Sequence, residues 1–247
     1  MSRSPLLAGL AVLLIFGLAV EGVVALRWVS PLIIPRPSDV IVAAVVMTSE
    51  GDLLPAFLAT LAVTIVAGGL AIVLGVPIGY LLYRNGILGR AYESWLGAGF
   101  AAPLVLLYPL FLVIFGRSYT TLIAMGTIVG VIPIIINTHI GLMRAPRTFV
   151  DVGFTFNCSQ SQQFWKILFP AAVPTIFSGI RLGLIYTLVN VIGIEFLINF
   201  GGLGRLVSDT YDRFDIPGMY ASIAYIVLIS ALVFMGLDRM QARLRPL

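Results

Sequence analysis

The chain is short of charge and nearly empty of reactive side chains. Only 11% of its 247 residues are charged, where a soluble domain carries about 25%. It has one cysteine (Cys158), one histidine (His139) and one lysine (Lys166). A lone cysteine excludes an intrachain disulfide and leaves the redox compartment unread. His139 and Cys158, about twenty residues apart, make no metal-ligand cluster. No G-x-x-x-x-G-K-S/T run occurs, so the chain has no phosphate-binding P-loop of its own. The net charge is +4 and the pI about 9.5. The basic residues are scattered between apolar runs without forming a stripe, which argues against nucleic acid as a partner.

What fills the chain is apolar. Hydrophobic residues make up 60% of it and its mean hydropathy is +1.06, so its second solvent is lipid. Six segments are long enough to span at about 20 residues each: roughly 6–26, 57–82, 96–115, 120–139, 175–198 and 219–237. The first is too long for a signal-peptide core and lacks a convincing cleavage site, so it reads as a retained anchor. With both termini inside, ten basic residues fall on the inner side and five on the outer, the bias expected of cytoplasmic loops. Residues 1–247 thus read as one all-α membrane domain of about six transmembrane helices, N-in and C-in. An inner loop runs from about 145 to 172, and outer loops span about 27–56 and 199–217. In the first outer loop Ser38 precedes an apolar run with Pro37 fixing the approach, which predicts a surface helix capped by Ser38. The second reads as a Gly-rich turn leading into an acidic, aromatic loop. Its Asp209, Asp212 and Asp215 either steer a docking partner or are merely solvated.

The inner loop contains a stretch that starts polar and turns amphipathic between two strongly apolar runs, "FNCSQSQQFWKILFPAAVP". Ser159 and Gln162 have the spacing of a capping box. The run 164–169 then makes a short helix that Pro170 ends or kinks. Residues 148–156 form a second short helix, with Thr148 as cap and Asp151 at its third position. Asn157 between them tolerates the left-handed turn such a hairpin needs. The result is a helix–turn–helix finger. It either rests on the lipid surface or docks into a partner.

Several polar residues lie within spans. Arg181 and Glu195 sit near opposite ends of the fifth span and are expected to reach the two interfaces. Asn190 shares a face with Gly183, Tyr186, Thr187 and Gly193. A small, polar face at mid-membrane should meet protein or water. It lines a pathway, or it packs closely with interhelical hydrogen bonds. Pro103 and Pro109 predict kinks in the third span, which make Tyr108 a pathway candidate, with packing on a neighbouring helix as the competing outcome. Gly68, Gly69, Gly75 and Gly79 predict close helix approach, with a hinge at residues 75–77 as the lesser reading. Glu21 and Arg27 read as surface or packing residues, and His139 as a hydrogen-bonded structural histidine.

The loop resembles the Glu-Ala-Ala coupling loop of permease subunits in ATP-binding-cassette (ABC) importers. Aligned on Pro170, Asp151 takes the Glu place, Val152 and Gly153 the Ala places, Asn157 the Gly place, Ile167 the Ile place and Phe169 the Leu place. "IPIIINTHIGLMRAP", "IEFLINFGGLGRLV", "LGVPIGYLL", "PLVLLYPLFLVIFG" and "IIPRPSDV" are similar, in order, to segments of the branch that imports nitrate, sulfonates, taurine, bicarbonate and pyrimidine precursors. The resemblance implies a type I importer permease with a coupling helix between helices 4 and 5 in a bacterial inner membrane. It implies two ATPase subunits that bind ATP and Mg²⁺, a second permease copy or paralogue, an extracytoplasmic solute-binding protein, and no cofactor in this chain. Asp151, Gly153, Asn157, Ser159, Phe164, Lys166 and Pro170 would then couple to the ATPase. Tyr108, Asn137, Tyr186, Thr187, Asn190 and Glu195 are the pathway candidates. A stand-alone secondary transporter or channel, and a non-transporting partner permease in a heterodimer, are the competing functions.

Overall fold

A computed structural model describes residues 3–144, 148, 153 and 155–244. The long helices are α1 (Arg3–Ala25), α3 (Leu53–Arg84), α6 (Tyr119–Met143), α8 (Phe169–Leu197) and α10 (Ile216–Leu244). Shorter ones are α2 (Pro37–Ser49), α4 (Gly86–Ala101), α5 (Tyr108–Phe115), the one-turn α7 (Gln160–Gln163) and α9 (Leu203–Asp212). Five stretches are long and apolar enough to cross a membrane, and a sixth arises if α4 and the segment after it count as one bent span. At 1.5 Å per residue, α3 extends about 48 Å, more than the roughly 30 Å of a bilayer core. Its ends therefore project from the lipid.

α6 is the centre of the bundle, held between α3 and α8. Of its most apolar stretch 56% is buried, against 11% for α10 and 6% for α1. Small residues permit the approach. A methyl group added at Gly79 would lie 2.6 Å from Thr138 Cβ and 2.8 Å from the Ile135 carbonyl, and one at Gly75 would lie 2.7 Å from Ile134 Cγ2. On the other side Gly183 of α8 faces the Gly130 carbonyl at 2.6 Å by the same measure. With no hydrophobic drive between helices in lipid, such close packing and interhelical hydrogen bonds hold them together. Thr127 donates to the Ala67 carbonyl at 3.3 Å and Thr187 to the Gly126 carbonyl at 3.1 Å. Gly68 packs on Leu184, whereas Gly69 faces open space. α3 runs unbroken through Pro77, without a hinge break at 75–77.

Three expectations about the shorter elements are corrected. α2 starts with Pro37 in its first turn and has Arg36, not Ser38, at the cap position. Ser38 instead gives its N–H (3.1 Å) and its hydroxyl (2.8 Å) to the carboxylate of Glu21. An acidic group at a helix N-terminus is favoured by the free amides there, so Glu21 of α1 does the capping. The third span is not one kinked helix. α4 ends at Ala101, Ala102 is extended, Leu104–Leu107 form a 3₁₀ turn, and the two halves are bent by 84°. Pro103 pushes the preceding residue out of the helical region, while Pro109 sits in the first turn of α5, where its missing N–H costs nothing. The segment after the Gly-rich turn is the helix α9, not a loop, because Leu203, Leu206 and Val207 recur at helical spacing and are buried. Its aspartates have local partners. Asp209 pairs with Arg205 at 3.3 Å, Asp212 accepts from Asn199 at 3.3 Å, and Asp215 accepts the Gly218 N–H at 3.0 Å. Asp212 and Asp215 nevertheless stay exposed at the surface.

Candidate functional site

The turn of the finger and the cap after it are built as the local sequence dictates. Thr148, Gly153 and Thr155 are helical, so Thr148 is a helical residue and not a cap. Asp151 and Val152 lie outside the described residues. Asn157 has φ +54° and the Cys158 N–H reaches back to the Gly153 carbonyl at 3.0 Å. This is a helix ending on a left-handed residue, with the turn role that glycine commonly fills played by asparagine. The Ser159–Gln162 capping box is present in both directions, at 3.0 and 3.3 Å. The arms touch where Gly153 meets Ile167 and Gln163, and a methyl there would lie 2.8 Å from Ile167 Cδ1.

Pro170 neither ends nor kinks the second arm. Residues Phe164–Leu168 form a π turn, in which the Phe169 N–H bonds the Phe164 carbonyl, and the chain continues directly into α8. The wider turn changes register just before Pro170, which then occupies a first-turn position where its ring is tolerated. The root of the finger is aromatic. The Phe164 ring lies 4.7 Å from Tyr80 of α3 and 5.0 Å from Trp165. It adjoins the buried cluster of Leu142, Ala172 and Ile176. Lys166 and Pro170 are exposed.

The second feature is a cavity of about 340 Å³ at the break after α4. Phe100, Pro103 and Leu104 close one side, Val129 and Ile132 of α6 the floor, and Tyr186, Asn190 and Gly193 of α8 the other side. Phe100 and Tyr186 face each other at 5.1 Å between ring centroids. No charged side chain among the described residues lines the cavity. The Asn190 Oδ1 is buried and has no hydrogen-bond partner among the described residues, and an unmet buried acceptor is costly. The face expected to be continuous is divided. Tyr186, Asn190 and Gly193 line the cavity, whereas Thr187 and Gly183 are buried against α6.

The remaining candidates lie elsewhere. Tyr108 packs in the apolar cluster around Leu122, Met125 and Val191. Asn137 sits against Gly179 and donates to the Pro133 carbonyl at 2.8 Å. Glu195 does not reach an interface. It is fully buried and accepts the Thr60 hydroxyl at 2.8 and 2.9 Å and the Gly204 N–H at 3.0 Å. Arg181 is half-buried, paired with Asp238 at 2.9 Å, bonded to Gln241 at 2.7 Å and stacked over Phe234. His139 rests on Gly89 of α4, and its Nδ1 is buried without a hydrogen-bond partner among the described residues, contrary to the hydrogen-bonded expectation. Sequence reasoning missed Thr60, which has no local signal, and Phe100, which the nearby Pro103 could have flagged.

Residues 71–246 match the family described as binding-protein-dependent transport system inner membrane component. The chain belongs to this family. Among its relatives, the formylaminopyrimidine transport permease protein ThiX of Halalkalibacterium halodurans is 27% identical over 216 residues, covering 87% of this chain and 86% of that protein. The nitrate import permease protein NrtB of Synechocystis is 29% identical over 72% of this chain and 63% of its own length. The taurine transport system permease protein TauC of Escherichia coli is 25% identical over 91% and 83%. In fold the chain resembles an inward-facing conformation of the MetNI methionine ABC transporter, with a TM-score of 0.69 at 21% identity over 81% of this chain and 99% of that one. The chain is therefore a multi-pass permease subunit of an ABC importer, a membrane component that works with a binding protein and an ATPase.

Proposed function

We propose that two such permeases, this chain with a second copy or a paralogue, enclose a pathway for a small solute in a bacterial inner membrane. The cavity at Tyr186, Asn190 and Gly193 forms this chain's share of the wall. Two ATPase subunits, which hold the ATP and Mg²⁺, dock on the fingers, and an extracytoplasmic binding protein delivers the solute from the opposite side. A sulfonate, a nitrate-like anion or a small heterocycle is the solute class that fits the named relatives.

The observation that carries this reading is the finger. Its polar turn projects where a partner can grip it, and its root, Phe164, is wedged against α3 and beside the cluster that joins α6 and α8. A push on the finger therefore bears on all three central helices. Asn157 supplies the left-handed turn, which supports a coupling-competent finger despite the departure from glycine.

Native mass spectrometry of the affinity-purified complex tests it. Two permeases with two ATPase subunits are expected, and removal of residues 153–169 should release the ATPases while membrane insertion persists. ATPase retention by that deletion would remove the finger from the coupling role.

A further inference from the structure

We propose that the cleft between the end of α3 and the root of the finger binds the headgroup of an anionic phospholipid. The cleft has a volume of about 540 Å³. Tyr80, Tyr83 and Arg84 of α3 line one wall, and Gln160, Gln163 and Trp165 of the finger line the other. Among the described residues no acidic side chain lines it, and Arg84 makes no ion pair there. Arg84 thus lines a cleft with no carboxylate among the described residues to balance it, and its planar fork suits a phosphate.

The neighbouring surface says what carries that phosphate. Leu74, Ile78 and Leu81 of α3 are 48%, 38% and 56% exposed. They fall within about 60° of one another on the helix, roughly opposite Tyr80 and Tyr83 and outside the cleft, and Leu81 adjoins Arg84 at its edge. An acyl chain along this lipid-facing stripe would bring its phosphate to Arg84 at the edge of the cleft. Trp165 is 62% exposed beside Arg84, the position of an amphipathic ring at the membrane–water boundary. Basic pockets between transmembrane helices hold anionic headgroups in this manner. A lipid seated here touches both α3 and the finger, so membrane composition would bias how the finger sits against the spans.

The test is lipid retention by the purified, delipidated complex, supplied with phosphatidylglycerol or phosphatidylethanolamine and read by native mass spectrometry. Arg84→Gln is compared with Arg239→Gln, an exposed arginine near the same end of α10, outside the cleft. The expected result is preferential retention of phosphatidylglycerol, lowered about fivefold by Arg84→Gln and unchanged by Arg239→Gln. Equal loss in both variants would reduce the effect to general surface charge and overturn the site. So would inorganic phosphate competing as well as the lipid, which would mark a free-anion site. Loss of the ATPase with lipid retention intact would assign Arg84 to a protein contact instead.

Discussion

At the scale of single residues the most constrained group is Glu195. A carboxylate within a span is costly unless its oxygens are met. Here the Thr60 hydroxyl and the Gly204 N–H meet them, while Thr60 in turn accepts the Leu203 N–H at 2.9 Å. The glycines around it are demanded by space. A side chain on Gly202 would run into Thr60 and the Ala56 carbonyl, and one on Gly204 into the Ile192 carbonyl. Gly201 also takes φ +103°, which favours glycine. Glu195 therefore pins the Gly-rich turn, and α9 after it, onto α3. Glu195→Ala strands two buried donors and should cost about 2–6 kcal/mol, at roughly 1–3 for each unmet group. Glu195→Gln keeps an acceptor oxygen and should cost clearly less. Thermal unfolding in detergent, followed by circular dichroism, checks the difference; equal losses would mean that the carboxylate only fills space.

Among the elements, α8 has two faces with opposite tolerances. At Gly183 an added methyl meets the Gly130 carbonyl at 2.6 Å and Ile134 Cγ1 at 2.7 Å. Backbone cannot move aside as a flexible side chain can. Gly183→Ala should therefore destabilise by about 1–3 kcal/mol, the usual cost of overpacking. At Gly193 nothing lies within 4 Å and the position lines the cavity. Gly193→Ala should shift stability by no more than about 0.5 kcal/mol while narrowing the cavity and slowing uptake. Paired melting and transport measurements on the two variants separate packing from lining. A Gly193→Ala protein with full uptake would show that the cavity has room to spare.

For the whole molecule, the cavity matters only if solute passes it. Asn190 supplies the one amide on its wall, with an acceptor unmet among the described residues. Asn190→Leu keeps similar bulk and removes that polarity. It should lower transport about tenfold, the equivalent of roughly 1.4 kcal/mol on the limiting barrier, and leave recovery of the assembled complex unchanged. Uptake into vesicles and co-purification of the ATPase read the two quantities separately. Full transport by this variant would leave Asn190 with a packing role alone.

How much of this was readable beforehand follows from the range of the forces involved. The sequence by itself determined five of the spans, the Asn157 turn and the Ser159–Gln162 capping box. Hydropathy over about 20 residues decides burial in lipid, and the Asn157 turn and the Ser159–Gln162 box depend on neighbours within a few positions. It also marked Pro103 as an irregularity. Only the tertiary structure decided the 84° bend there, the division of the Asn190 face into lining and packing halves, and the place of Tyr108 in the apolar cluster. It alone brought Thr60 to Glu195 across 135 residues. Those outcomes depend on which helix lies opposite, and no local spacing encodes that. A buried carboxylate can be read as an interface residue until the partner that meets it, on a helix far away in the chain, has been placed.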